Sequence, residues 1–155
     1  MITFIRYFNF SLLLLFSGCY AYQLVYMVTG LLKKERTENR KVQMHRFAVL
    51  IPARNEEAVI SGLVESIQKQ TYPSDLIDIY VIADNCTDHT AALSARLGTS
   101  VIERSNHVKV GKGYALDYAF KQIDSEKGLG HYDAFLVFDA DNVLDPGYFV
   151  AMNRT

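Results

Sequence analysis

Short apolar blocks recur along the second two-thirds of this chain, at residues 47–51, 77–83, 101–102 and 134–138, and helix-period stretches separate them. Ile60, Leu63, Val64 and Ile67 repeat at i, i+3, i+4 and i+7, which is one face of a helix. Leu93 and Leu97 mark a shorter helix that starts at Thr87 or Asp88 and stops at Gly98. Leu116, Ala119, Phe120 and Ile123 mark a longer one. Strand and helix alternating in this way predict a mostly parallel sheet joined by right-handed crossovers, with helices on its faces. Pro52 is expected to end the first strand, and Asn55 to cap the following helix, with Glu56 and Glu57 in its first turn.

The last block carries the chemistry. Residues 134–142 read Ala-Phe-Leu-Val-Phe-Asp-Ala-Asp-Asn, an apolar run that predicts a strand buried on both faces inside the sheet. Residues i and i+2 of a strand point the same way, so Asp139 and Asp141 are expected to present their carboxylates together at its carboxyl end. Two like charges that close call for a cation, and hard oxygen ligands suit Mg²⁺ or Mn²⁺. Parallel strands put their carboxyl ends on one edge, so Glu56, Asp84, Asp139 and Asp141 are expected around one cleft. Asp84 is placed to accept hydrogen bonds from a nucleoside. Lys112, between Gly111 and Gly113, is placed to reach a diphosphate, although the loop is not a Walker pattern.

The amino-terminal third has a different composition. Residues 7–32 contain no charge, and at 1.5 Å per residue they extend about 39 Å, enough to cross the roughly 30 Å hydrocarbon layer with tilt. Arg6 stands alone before this stretch, whereas Lys33, Lys34, Arg36, Arg40 and Lys41 follow it, which predicts a single-pass membrane helix with the rest of the chain in the cytoplasm. Residues 1–6 form a short leading segment and 33–46 a charged, partly helical linker to the α/β domain at 47–155. A cleaved lipoprotein signal ending at Ser17-Gly18-Cys19 is the competing reading, but the apolar run continues past Cys19 and the basic cluster follows rather than precedes it.

Half of the residues are hydrophobic and the formal net charge is -1, which excludes a disordered chain and a strongly nucleic-acid-binding one. The 155 residues suffice for one ordinary domain. Cys19 and Cys86 make no disulfide framework. The histidines at 45, 89, 107 and 131 show no zinc spacing and are read as loop or surface residues.

Taken together, Val49-Leu50-Ile51-Pro52-Ala53-Arg54-Asn55-Glu56-Glu57, Val81-Ile82-Ala83-Asp84-Asn85-Cys86-Thr87-Asp88, Gly111-Lys112-Gly113-Tyr114-Ala115-Leu116 and Asp139-Ala140-Asp141 resemble the nucleotide-sugar half of family 2 glycosyltransferases. Their order and spacing match that family over roughly residues 47 to 153. The resemblance implies a GT-A fold, a nucleotide-sugar donor that is most often a UDP-sugar, a divalent metal and inverting transfer. By motif position, Pro52, Ala53, Arg54, Glu56, Asp84, Lys112, Asp139, Ala140 and Asp141 would line the donor site, with the metal on Asp139 and Asp141. Arg54 stands where the family often has tyrosine, and Ala83 where it often has a second aspartate. The apolar amino terminus is similar to that of members acting on glycan or lipid acceptors at a membrane.

Inverting transfer needs a general base, which in this family comes from a Thr/Glu-Asp-Asp-like motif well beyond the metal aspartates. The chain is therefore expected to be an amino-terminal portion of a longer enzyme, with its base beyond Thr155, or a non-catalytic membrane-tethered remnant that binds nucleotide-sugar. A third reading is a haloacid-dehalogenase-like phosphatase, whose Asp-x-Asp-x-Thr/Val nucleophile motif fits residues 139–143 literally.

Overall fold

The structure, a computed structural model, describes residues 2–32 and 43–154, which fall into an amino-terminal helix and a separate α/β unit. Helix α1 (Ile2–Leu32) buries none of its residues and has a mean hydropathy of 1.5 over its most apolar window, long and apolar enough to cross a membrane. It begins at Ile2, so residues 2–6 of the expected leading segment are helical and continuous with it. The basic residues at 33–41 lie outside the described residues, as does most of the expected linker. Residues 43–46 form no regular element.

The α/β unit holds a sheet of four parallel strands: β1 (Phe47–Ala53), β2 (Ile77–Asp84), β3 (Ser100–Arg104) and β4 (Ala134–Val137), in the order β3-β2-β1-β4. The period of two is visible in the packing of β1. Phe47, Val49, Ile51 and Ala53 face a core built with Ile60, Leu63, Val64 and Ile67 of α2 (Ile60–Gln68) and Phe149 of α5 (Tyr148–Met152); Leu93 of α3 (Thr90–Arg96) and Leu97 just beyond it pack against that core. Ala48 and Leu50 face the other side, with Ala115, Ala119 and Ile123 of α4 (Lys112–Glu126). The helix faces are those expected.

Two expectations about strands are corrected. Pro52 does not end β1, which continues to Ala53 with Pro52 opposite Ile82. The Leu50 carbonyl accepts the Phe138 N–H at 3.1 Å, so Leu50 and, two residues on, Pro52 turn their backbone groups toward β4, while Ile51 and Ala53 turn theirs toward β2. Pairing with β4 stops at Leu50 opposite Val137, so the missing N–H of Pro52 faces no partner strand and no ladder bond is lost. Strand β4, expected inside the sheet and buried on both faces, is instead an edge strand in the described sheet, half-buried along most of its length, with Val137 exposed. An apolar run of that length fits a half-covered edge as well as a buried centre.

The amino-terminal edge of the sheet is closed by a charged network. The Tyr132 hydroxyl donates to Asp78 Oδ2 at 2.6 Å and lies 2.7 Å from the Tyr80 hydroxyl. Lys127 Nζ donates to the same carboxylate oxygen at 3.1 Å, and Arg46 lies 3.9 Å from it. Burial alone would raise the Asp78 pKa, but the hydroxyl and the two cations outweigh it and hold the carboxyl below its usual range. A carboxylate depressed in the folded state stabilises the fold above its unfolded pKa, about 3.9, and that stabilisation is lost as pH falls from there through the folded value. Denaturant unfolding of the detergent-solubilised chain should therefore show a midpoint falling below about pH 4, and Asp78→Asn should flatten part of that fall. An unchanged acid limb in the variant would show that Asp78 contributes nothing to it.

Candidate functional site

The chain leaves β1 for β2 and β3 on one side and returns to the other side as β4, so the strand order reverses between β1 and β4. Open α/β sheets bind ligands at the carboxyl ends of the strands beside such a reversal. The loops after β1, β2 and β4 and the start of α4 all lie on this edge, and they carry the residues expected from the sequence.

Two asparagines shape the first loops. Asn55 (φ +58°) and Asn85 (φ +54°) stand one or two residues past the ends of β1 and β2 in the left-handed region, which asparagine tolerates better than most residues. Asn55 is not the helix cap expected of it: its Oδ1 accepts the Thr87 N–H at 2.7 Å and the Thr87 hydroxyl at 3.3 Å. Glu56 and Glu57 likewise precede the helix, whose first residue is Ile60. The Glu56 N–H donates to Thr90 Oγ1 (2.8 Å), and Glu57 Oε2 accepts the His89 N–H (2.8 Å). Asp88 Oδ1 accepts the Thr90 N–H at 3.0 Å, which sets the start of α3 at Thr90 rather than at Thr87 or Asp88. Cys86 joins the same seam: its thiol donates to the Ala53 carbonyl and accepts the Asn55 N–H, both at 3.4 Å, and burial pushes its pKa up. Cys86 and Cys19 are both free thiols.

Asp84 closes β2 and is 5% exposed. Its Oδ1 accepts from Arg104 Nη1 and, at 3.0 Å, from Asn85 Nδ2, while Oδ2 takes no hydrogen bond among the described residues. Arg104, the last residue of β3 and opposite Asp84 in register, was not singled out from the sequence. The available signal was its position as the polar end of a strand next to Asp84.

Helix α4 opens on Gly111, whose φ of +125° few other residues adopt, and no side chain caps it. The amides of Tyr114 and Ala115 bond back to the Gly111 carbonyl (3.0 and 3.1 Å), leaving the first amides of the helix facing an open groove of about 420 Å³ lined by residues 109–114 and Asp117. Lys112 is exposed there and its Nζ lies 2.5 Å from Asp139 Oδ1.

Asp139 and Asp141 are not presented by a strand. They flank a turn closed by the Asn142 N–H on the Asp139 carbonyl (3.1 Å), and Ala140 between them is 4% exposed, packed into the core. The turn is pinned before by Phe138 on Leu50 and after by the Leu144 N–H on Ser66 Oγ (3.0 Å). The buried alanine thus brings about what strand alternation was expected to do: both carboxylates are exposed on the same turn. Their like charge is met in part by Lys112. Of the other expected residues, Pro52 is half-buried, Ala53 buried, Arg54 exposed and Glu56 half-buried, all at this edge. Among the described residues the carboxylates of Glu56, Asp84, Asp139 and Asp141 do not gather into a cluster of three or more that could hold a metal.

A family model described as glycosyltransferase like family 2 matches residues 45–155. The chain belongs to that family. A probable glycosyltransferase of Bacillus subtilis, YdaM, is 32% identical to the family 2 chain over 111 residues, covering 68% of it and 24% of the relative, so the chain spans about a quarter of that relative's length. The mannosyltransferase PcManGT from Pyrobaculum calidifontis, solved with GDP-Man and Mn²⁺, superposes with a TM-score of 0.64 at 21% identity over 90% of this chain and 41% of its own. Staphylococcus aureus TarS 1-349, solved with UDP-GlcNAc, superposes with a TM-score of 0.57 at 23% identity over 69% and 30%. At these identities the two structures establish the GT-A fold alone. Family membership leaves the phosphatase reading of residues 139–143 without support.

The seam between the first two loops makes a test of local structure. Asn55→Ala removes both bonds to Thr87 and puts a Cβ residue without a polar side chain in the left-handed region, so it should destabilise the chain by about 2 kcal/mol in denaturant unfolding. Asn55→Gly, which restores the backbone freedom, should lose about half as much. A glycine variant no more stable than the alanine one would show that the backbone conformation contributes nothing.

Proposed function

We propose that this chain is the donor side of an inverting glycosyltransferase, which binds a nucleotide-sugar, by preference a UDP-sugar, with Mg²⁺ or Mn²⁺, for transfer to a glycan or lipid acceptor at the cytoplasmic face of a membrane. The observation that carries this reading is the arrangement along one edge of the sheet: a buried carboxylate with one unused oxygen at Asp84, an uncapped helix start with Lys112, and two exposed carboxylates on one turn at Asp139 and Asp141.

The residues fit a divalent ion of the hard kind. Asp139 and Asp141 offer oxygen donors only, and Mg²⁺ in particular is commonly held by one or two carboxylates with the remaining positions taken by phosphate oxygens and water. When bound, such an ion would neutralise charge on the diphosphate and on the leaving nucleotide. The chain's own groups do the rest. Asp84 Oδ2 accepts from the nucleoside, the first amides of α4 point at phosphate oxygens as helix starts do, and Lys112 moves from Asp139 to the diphosphate once the carboxylates are otherwise neutralised. Pro52, Ala53 and Arg54 form the floor and rim beside the base.

Orientation follows from the basic residues at 33–41, which succeed the apolar helix and favour the cytoplasmic side. Protease added outside intact cells should leave the α/β unit uncut, and cleavage there would reverse the orientation. For the donor site, calorimetry on the full chain in detergent should find UDP binding strengthened by Mn²⁺ and weakened by chelator, with Asp141→Asn removing the metal effect. Lys112→Ala should weaken UDP about ten- to a hundredfold, the loss expected for a hydrogen bond to a charged group, and leave uridine nearly unchanged. Equal losses for uridine and UDP would refute the division of labour, and metal-independent binding would refute the metal assignment.

A further inference from the structure

The GT-A fold holds guanine nucleotides in one solved neighbour and uracil nucleotides in another, so the fold alone does not choose the base. In this chain the choice can be traced to Arg104. Arg104 and Asp84 end adjacent parallel strands, opposite each other in register, and both side chains are buried. Arg104 donates through Nη1 to Asp84 Oδ1 and through Nη2 to the Lys109 carbonyl at 2.5 Å. Asn85 Nδ2 adds a second donor to the same Oδ1 (3.0 Å). Asn85 is itself held by the Arg104 carbonyl, which accepts its N–H at 2.7 Å, and by Asn106, whose N–H donates to its Oδ1 at 2.8 Å.

Two donors converging on Oδ1 fix the rotation of the carboxylate and leave Oδ2 as its one unused acceptor. Uracil offers a single ring N–H between two carbonyls. Guanine offers two adjacent donors, N1–H and N2–H, that suit both oxygens of a free carboxylate. With Oδ1 already filled, guanine would bury one donor unpaired, and a site rejects a ligand strongly when a polar group is left without a partner.

We propose that Arg104 is a positioning residue that sets base specificity: by occupying one oxygen of Asp84 it turns a two-acceptor carboxylate into a one-acceptor reader that takes uracil and rejects guanine. The proposal rests on Asp84 touching the base, as inferred above. Through the Lys109 carbonyl the same guanidinium also fixes the loop that leads to Lys112, so the base reader and the phosphate loop share one anchor.

The test is the ratio of affinities, which a purely structural role would not move. Calorimetry on the full chain in detergent with Mn²⁺ should find UDP bound at least tenfold more tightly than GDP. Arg104→Met, which keeps the apolar stem and removes the charged donor while Asn85 Nδ2 stays on Oδ1, should lower that ratio severalfold, while Arg104→Lys, which keeps one charged donor for Oδ1, should retain most of it. Asp84→Asn offers a reading that does not depend on the methionine variant folding. Arg104 and Asn85 demand an acceptor, so the amide must turn its oxygen to them and its NH₂ to the base. The preference should then pass from UDP to CDP, whose ring nitrogen accepts. A UDP to GDP ratio unchanged in a folded Arg104→Met chain, or an Asp84→Asn chain that still prefers UDP to CDP, would overturn the proposal. Failure of the underlying donor reading looks different: the unaltered chain would bind no nucleoside diphosphate at all.

Discussion

The arrangement depends on one mismatch of length. Strand β1 is buried on both faces and paired on both sides for its first four residues, but β4 accompanies it only to Leu50. Beyond that point β1 continues beside β2 alone, and the space where β4 would have run is taken by the turn carrying Asp139 and Asp141. Pro52, the last residue but one of β1, loses no ladder bond because of this early end, and the edge beyond Leu50 is left open to loop and turn residues for the same reason. The hydrophobic requirement of the core and the opening at its edge are met by the same few residues.

The elements were legible because their periodicities are strong. The face of α2 at Ile60, Leu63, Val64 and Ile67 is fully buried as read, and the four apolar blocks are the four strands. What sequence could not give was the partner of each side chain. Asn55 looked like a helix cap because caps and left-handed turns draw on the same residue type, and only the position of Thr87 decides between them. Asp139 and Asp141 are both exposed on one turn, but beside an inward-facing Ala140 rather than through strand alternation. Arg104 was missed because the local pattern marks it only as the polar end of a strand, while its pairing with Asp84 is set by the register of β2 and β3.

The same comparison separates the two ends of the sheet. At the amino end the charge of Asp78 is met at Oδ2 by a hydroxyl and a lysine, with Arg46 close by. At the carboxyl end the polar groups are only partly satisfied: Asp84 has one oxygen engaged, α4 has no side-chain cap, and Asp139 borrows Lys112. Partial satisfaction is costly to a fold in the absence of a ligand, and such sites are where proteins accept that cost for function.

Helix α4 joins these two ends, and its fastening is lopsided. Just past its last turn Lys127 is tied to Asp78 and lies over the rings of Tyr80 and Tyr132, at 5.7 and 5.9 Å from their centres. About 22 Å away along the axis, its first turn is held by neither a cap nor a close-packed glycine. Its open end is seated in the core by Ala115 but has no cap ahead of that residue. An anion settling on the free amides ahead of Ala115 would supply the cap that the sequence does not.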